Sequence, residues 1–156
     1  MEITWGNKTL TKPKGIILNK SNYINFKNES EKAENQLSYI IRGAAFEVFN
    51  QLGPGLLESV YQAALVYELK IHHLNVKTEV ELPVKYKDIY LDQGFRLDIL
   101  VNDLVVIEIK SVESLSKVHY KQLQTYLKLS GKKLGLLINF NQSSMNDAIH
   151  RIVYGL

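Results

Sequence analysis

Residues 94–110, GFRLDILVNDLVVIEIK, constrain this chain more than any other stretch. Two runs rich in Leu, Val and Ile carry three ionisable side chains, Asp98, Glu108 and Lys110. Strands of that composition belong in the middle of a sheet covered on both faces, where a lone carboxylate is costly unless something pairs with it. Two carboxylates and a lysine converging there point to a divalent metal site. The plain alternative is that Asp98 and Lys110 sit near strand ends in water. An E-x-K triplet arises by chance about once in 300 positions at average composition, so the string needs corroboration from elsewhere.

The register of the two strands bears on that choice. A two-residue Asn102–Asp103 turn sets Val101 opposite Leu104 and sends Asp98 and Glu108 to opposite faces. A three-residue loop, or one bulged residue, sets Asp98 opposite Glu108 instead. The apolar pattern favours the second arrangement. In it Leu97, Ile99 and Val101 share a face with Val105, Ile107 and Ile109, while Asp98, Leu100, Val106, Glu108 and Lys110 share the other. We therefore expect an irregular turn or bulge between Val101 and Val105, with Glu58 approaching the carboxylates' face from a neighbouring helix.

A chain of 156 residues is about one domain, with room for a single sizeable core. It has no cysteine, which excludes disulfides, thiolate zinc sites and Cys-ligated iron–sulfur clusters. Any metal must take oxygen or imidazole ligands, which favours Mg²⁺ or Mn²⁺ over zinc. The N-terminal MEITWGNKTL has no apolar core of a signal peptide, and no apolar run reaches membrane-spanning length. The expectation is a soluble, cytoplasmic protein with no membrane partner. Of 19 basic and 16 acidic residues, five lysines and two glutamates fall within residues 1–30, leaving 14 of each sign in the rest. A neutral body argues against broad, sequence-independent wrapping of duplex DNA.

Residues 1–29 are polar, Asn- and Lys-rich and without helical periodicity, and they read as a basic, poorly ordered extension. Residues 9–18 offer a weaker alternative, a strand or hairpin around Pro13 and Gly15. From Ser30 the spacing of Leu37, Ile40, Ile41, Ala44, Ala45, Val48 and Leu52 predicts an amphipathic helix, ended by Gly53-Pro54-Gly55. A second helix over 56–72 is apolar on most of its circumference and reads as largely buried. Alternation at Val76, Thr78, Val80 and Leu82 then predicts a half-exposed strand, bent at Pro83, and a short hairpin turns at Lys87-Asp88. Ser116 is placed to cap a helix that runs to about Ser130 and closes at Gly131. Residues 134–140, LGLLINF, form a further buried strand. Residues 141–149 suggest a short helix and 150–154 a last strand. Two helices, a run of antiparallel strands, a crossover helix and another strand define an α/β sandwich with a mixed sheet.

Outside the hairpin, three features carry chemistry. Glu58 lies in the first turn of the second helix, where acids also occur for the helix dipole alone. His119, Gln122 and Tyr126 fall within an arc of about 60° on the crossover helix, as either a packing face or a substrate contact. Lys117 and Lys121 beside them suit a solvated face or a phosphate contact.

These motifs together resemble the GxxExxY proteins, a branch of the PD-(D/E)xK nuclease superfamily. The resemblance is carried by Gly55-x-x-Glu58-x-x-Tyr61 within IRGAAFEVFNQLGPGLLESVY, by FRLDILV, by VIEIK and by GLLINF, in the family's order over residues 37–154. The run QLQTY (122–126) is similar to the Q-x-x-x-Y motif of RecB-type nucleases. The resemblance implies an α/β/α sandwich with a central mixed sheet and a restriction-endonuclease-like core over residues 30–156. It also implies a Mg²⁺- or Mn²⁺-dependent phosphodiester hydrolase acting on nucleic acid, with DNA preferred to RNA. Asp98, Glu108 and Glu58 would hold the metal and Lys110 would face the scissile phosphate or the attacking water. Gln122 and Tyr126 would line the substrate groove, with Tyr61, Lys117 and His119 near them. Members often carry a His shortly before the Gly-Pro-Gly, where this chain has Phe49. The alternative is a nucleic-acid-binding or protein-interaction domain that keeps the fold without hydrolysis.

Overall fold

A computed structural model describes residues 3–5, 8–10 and 20–155, with side chains for Glu29, 31–92 and 94–155. The chain divides into two compact units, residues 1–32 and 33–156. In the first, β1 (Ile3–Trp5) and β2 (Lys8–Leu10) pair antiparallel. The possible hairpin around Pro13 and Gly15 lies outside the described residues. The first helix, α1 (Lys20–Leu52), crosses the boundary between the units and starts ten residues before Ser30, which corrects the expected start. The sequence of its first turns, KSNYINFKNES, has only Tyr23, Ile24 and Phe26 as apolar residues, too few to repeat at i, i+3, i+4 and mark a helix.

The second unit is a five-stranded mixed sheet in the order β3-β4-β5-β6-β7, formed by β3 (Val76–Tyr86), β4 (Ile89–Val101), β5 (Val105–Lys110), β6 (Leu134–Asn139) and β7 (Ile149–Val153). Only β5 and β6 run parallel, joined by the crossover helix α3 (Lys117–Ser130). Residues 141–148 are turns and bends, so the short helix expected there is absent.

Two apolar layers cover the sheet. One face packs Ile99, Val101, Val105, Ile107 and Ile109 against Ile41, Ala45 and Val48 of α1 and Tyr61, Leu65 and Leu69 of α2 (Glu58–Ile71). The other packs Leu100, Val106 and Leu137 against Leu123, Tyr126 and Leu127 of α3. Each fully buried aliphatic side chain contributes about 1.5–3 kcal/mol. The result is an α/β/α sandwich, as the element order implies. Gly53 ends α1 in the left-handed region, with φ 67° and its N–H on the Phe49 carbonyl. The second helix departs from expectation: only Tyr61, Leu65 and Leu69 are buried, while Val60, Tyr67 and Ile71 face solvent. One buried stripe suffices because α2 meets the sheet on a single side.

Candidate active site

The β4–β5 turn is the irregular one. Val101 pairs with Val105, Leu100 with Val106 and Ile99 with Ile107, around a three-residue loop whose Asn102 and Asp103 have φ of 51° and 55°. Asn and Asp tolerate this left-handed region better than most residues. Continued one step, that register sets Asp98 opposite Glu108, but the ladder stops at Ile99. Instead the Asp98 carboxylate accepts the Ile109 N–H through Oδ2 at 2.8 Å. Asp98 thus fills the gap between two diverging strands.

The other neighbour breaks at the same place. Thr78 pairs with Ile99 and Val80 with Leu97, while Glu79 between them is unpaired and takes φ 52°. The Asp98 carbonyl accepts from Gln62 Nε2 at 3.0 Å, and the same amide donates to Glu79 Oε1 at 2.9 Å. A helix side chain thus holds the Asp98 backbone where strand pairing has let go. Gln62 was not singled out by sequence, although it follows Tyr61 directly. The irregularity also corrects the expected facing of Leu97, which packs in the α3-side layer with Leu100 rather than with Ile99.

Glu108 is 2% exposed, and its Oε1 accepts from Lys110 Nζ at 2.8 Å. Its Oε2 is buried with no hydrogen-bond partner. Burial, then the nearby Asp98, push the Glu108 carboxyl up to about 7, against the lowering effect of Lys110. Burial likewise raises Asp98, although the Ile109 N–H and Lys110 oppose it. Desolvation works against the Lys110 ammonium, but the bond to Glu108 and the negative charges of Glu108, Glu58 and Asp98 outweigh it and raise its pKa. Lys110 therefore stays protonated at neutral pH. The orphaned Oε2, an acceptor beside a second carboxylate, is the arrangement a bound cation relieves.

Beyond Lys110 the chain is pinned from two sides. Ser111 donates its N–H to Glu58 Oε1 at 3.2 Å and its hydroxyl to the Leu56 carbonyl at 2.6 Å. Asn139, fully buried beside Lys110 in β6, accepts the N–H of Val112 at 3.0 Å and donates to its carbonyl at 2.8 Å. Asn139 is the one strongly polar residue of the LGLLINF run, the signal that marks it in retrospect.

Tyr61 is corrected as a substrate contact. It is fully buried and stacks on Phe140 at 4.5 Å between centroids. Its hydroxyl donates to the Gly53 carbonyl at 2.6 Å and accepts the Leu56 N–H at 3.1 Å, so it ties down the Gly-Pro-Gly loop that leads to Glu58. Phe49, where members often carry His, packs its partly buried ring against the same layer.

On α3, His119 accepts the Ser116 N–H through Nδ1 at 3.1 Å and so closes the helix start. Lys117 and Lys121 are exposed. Gln122 Nε2 donates to the Tyr126 hydroxyl at 2.6 Å. Tyr126 lies within the electrostatic reach of Glu108, Lys110 and Asp98, but burial raises its pKa and only 5% of its surface is exposed. Its ring packs on Phe95, with centroids 5.6 Å apart. Phe95, which is 42% exposed, is an aromatic beside the site that sequence reading passed over.

The donor set suits a hard divalent ion in chemistry, being carboxylate oxygen with one unsatisfied buried acceptor. Asp98 and Glu108 are the pair that would hold it. The expected third member is not gathered with them: among the described residues, no group of three or more His, Asp or Glu stands ready to hold a metal ion. Glu58 is engaged at Ser111 and acts on the pair through its charge.

A family model for the PD-(D/E)XK nuclease superfamily matches residues 35–152, and the chain belongs to that superfamily. PD-(D/E)XK proteins of this class are generally divalent-metal-dependent nucleases, with nucleic acid as substrate. A solved structure titled "Crystal structure of SSO0001" is similar, at 28% identity and a TM-score of 0.49 over 63% of this chain and 50% of that one. This chain therefore spans about half the length of that protein. No curated protein matches it. Among the described residues, no helix is long and apolar enough to cross a membrane.

Proposed function

We propose that the chain is a Mg²⁺- or Mn²⁺-dependent nuclease that hydrolyses phosphodiester bonds in DNA, resembling the GxxExxY branch of its superfamily. The observation that carries this reading is the orphaned Oε2 of Glu108, buried beside Asp98 and Lys110 where the sheet opens. Asp98 and Glu108 would hold the ion. Bound there, it supplies a lowered pKa for water and charge neutralisation on the phosphoryl oxygens. Lys110 keeps its proton and takes the electrostatic role, stabilising negative charge on the phosphate. Gln62 fixes the backbone of Asp98, while Glu58 and Asn139 fix the segment after Lys110, so the charged groups need little reorganisation when substrate arrives.

Calorimetric titration with Mn²⁺, run beside cleavage of labelled DNA, tests the reading. Wild type should bind Mn²⁺ and cut. Asp98→Asn, which keeps the side chain's shape, should lose most of the binding heat and the cleavage together. Wild type that takes up no Mn²⁺ and leaves DNA intact would end the proposal.

A further inference from the structure

The β3–β4 hairpin continues well past the layer that α3 covers. Leu82 pairs with Phe95 and Val84 with Leu91, so residues 92–94 of β4 stand against Pro83 alone. Pro83 cannot donate to a ladder, and the strand bulges around it. Gly94 lets the two strands close up there, since a Cβ on it would lie 2.8 Å from the Leu82 carbonyl oxygen. The bulge leaves an open groove of about 470 Å³, its apolar lining Leu82, Pro83, Leu91 and Phe95 and its charged lining Glu81, Asp92 and Arg96. Beyond it, Tyr86, Ile89 and Tyr90 are each more than half exposed, as paired residues around the turn.

We propose that this groove receives an unpaired nucleobase, stacked on Phe95, from the strand that runs to the Asp98–Glu108 pair. The inference rests on the nuclease reading above and names the substrate class of that site as single-stranded nucleic acid. Phe95 precedes Asp98 by three residues on the same strand, about 10 Å of extended backbone, a span of only a few nucleotide spacings. Its ring is backed by the buried Tyr126, tilted by 56°, so it presents a surface to solvent without being free to swing away. The substrate contact expected of Tyr126 thus passes to the aromatic in front of it.

Charge decides between unpaired and duplex substrate. Residues 31–156 carry 14 basic and 14 acidic groups, which gives little counterion release to drive duplex binding. Stacking on a protein aromatic does not need that charge, and bases held in a duplex cannot supply it. Arg96 is one cation against the Glu81 and Asp92 carboxylates of the same lining, and an exposed contact with Glu79 at 3.5 Å shares it, so the groove offers a base a stacking surface rather than attraction for its phosphate.

The full chain should be kept in EDTA, where binding is read without cleavage, and titrated into fluorescein-labelled oligo-dT, an abasic oligomer of equal length and a duplex. Wild type should bind oligo-dT about tenfold more tightly than the abasic strand. Phe95→Leu keeps apolar packing against Tyr126 and should bring oligo-dT down to the abasic level, leaving abasic binding unchanged. Phe95→Trp, made with Trp5→Phe, should keep wild-type affinity, and its emission should quench when oligo-dT is added. The absence of quenching overturns the proposal even if the Leu variant fails to fold. Equal binding of oligo-dT and abasic strand by wild type overturns it too. So does a Phe95→Leu change that splits a dimer in sedimentation while oligo-dT binding holds, which would make the groove a contact between copies. Base discrimination that depends on Phe95 in a chain that cuts nothing removes only the nuclease reading. Cleavage without base discrimination removes only this one.

Discussion

The two faces of β5 are built from neighbouring residues and do different work. Val105, Ile107 and Ile109 turn to α1 and α2, and their layer is closed by aliphatic and aromatic side chains. Val106, Glu108 and Lys110 turn to α3, where the apolar contact ends after one residue and a buried ion pair with an unpaired oxygen follows. One face spends its burial on stability. The other gives up some stability to hold charge out of water, which is the condition under which charge acts strongly on a substrate.

The contrast predicts opposite outcomes for adjacent substitutions. Glu108→Gln should lower Mn²⁺-dependent DNA cleavage by about a thousandfold, roughly 4 kcal/mol of barrier, while the melting temperature in EDTA stays level or rises. Ile107→Ala should do the reverse. It should cost about 2–5 kcal/mol of stability by denaturant unfolding, since the side chain is fully buried, and the protein that remains folded should keep its cleavage rate. A Glu108→Gln protein that unfolds as easily as Ile107→Ala would show that the ion pair is structural cement, and the two faces would not differ in kind.

A pH series sharpens the same comparison. Glu108 has an ordinary value of 4.5 and is pushed up to about 7 in the folded chain. Its neutral form is therefore the one the fold prefers, and its contribution to stability is full below about 4.5 and is lost as pH rises through 7. Asp98 is raised as well and acts in the same direction. Without metal, wild type should lose on the order of 3 kcal/mol relative to Glu108→Gln between pH 5 and 8. The difference between the two proteins cancels the titrating groups remote from the site and reports Glu108 together with its coupling to Asp98 and Lys110. A wild type that gains on Gln over that range would mean that Lys110 outweighs burial.

Much of this was legible in sequence because it is periodic or punctuated. The helix ends at Gly53 and Gly131 follow from the left-handed conformation that glycine permits. The register of β4 and β5 follows from the requirement that Ile99 and Ile107 face one core, which forces the three-residue loop. What stayed hidden depends on side chains meeting across the fold. Nothing local tells that Gln62 bonds the Asp98 carbonyl, that Tyr61 is spent on the Gly53 and Leu56 backbone, or that Glu58 reaches Ser111. The polar start of α1 was missed for another reason, since a helix without an apolar stripe has no period to read.

The smallest expected effect concerns the residue between the two functions of the α3 face. Tyr126 touches the charged pair electrostatically and Phe95 by its ring, and its hydroxyl is engaged with Gln122. Tyr126→Phe removes only that oxygen. The Gln122 amide it frees is partly exposed and can turn to water, so the loss should be below about 1 kcal/mol. For a domain of this size that is roughly 2–4 °C in melting temperature. Oligo-dT binding should not change, because the ring behind Phe95 is intact, and cleavage should stay within about threefold of wild type. A fall in cleavage approaching that of Glu108→Gln would show the hydroxyl acting on substrate, and would move Tyr126 from the wall behind the groove to the chemistry beside it.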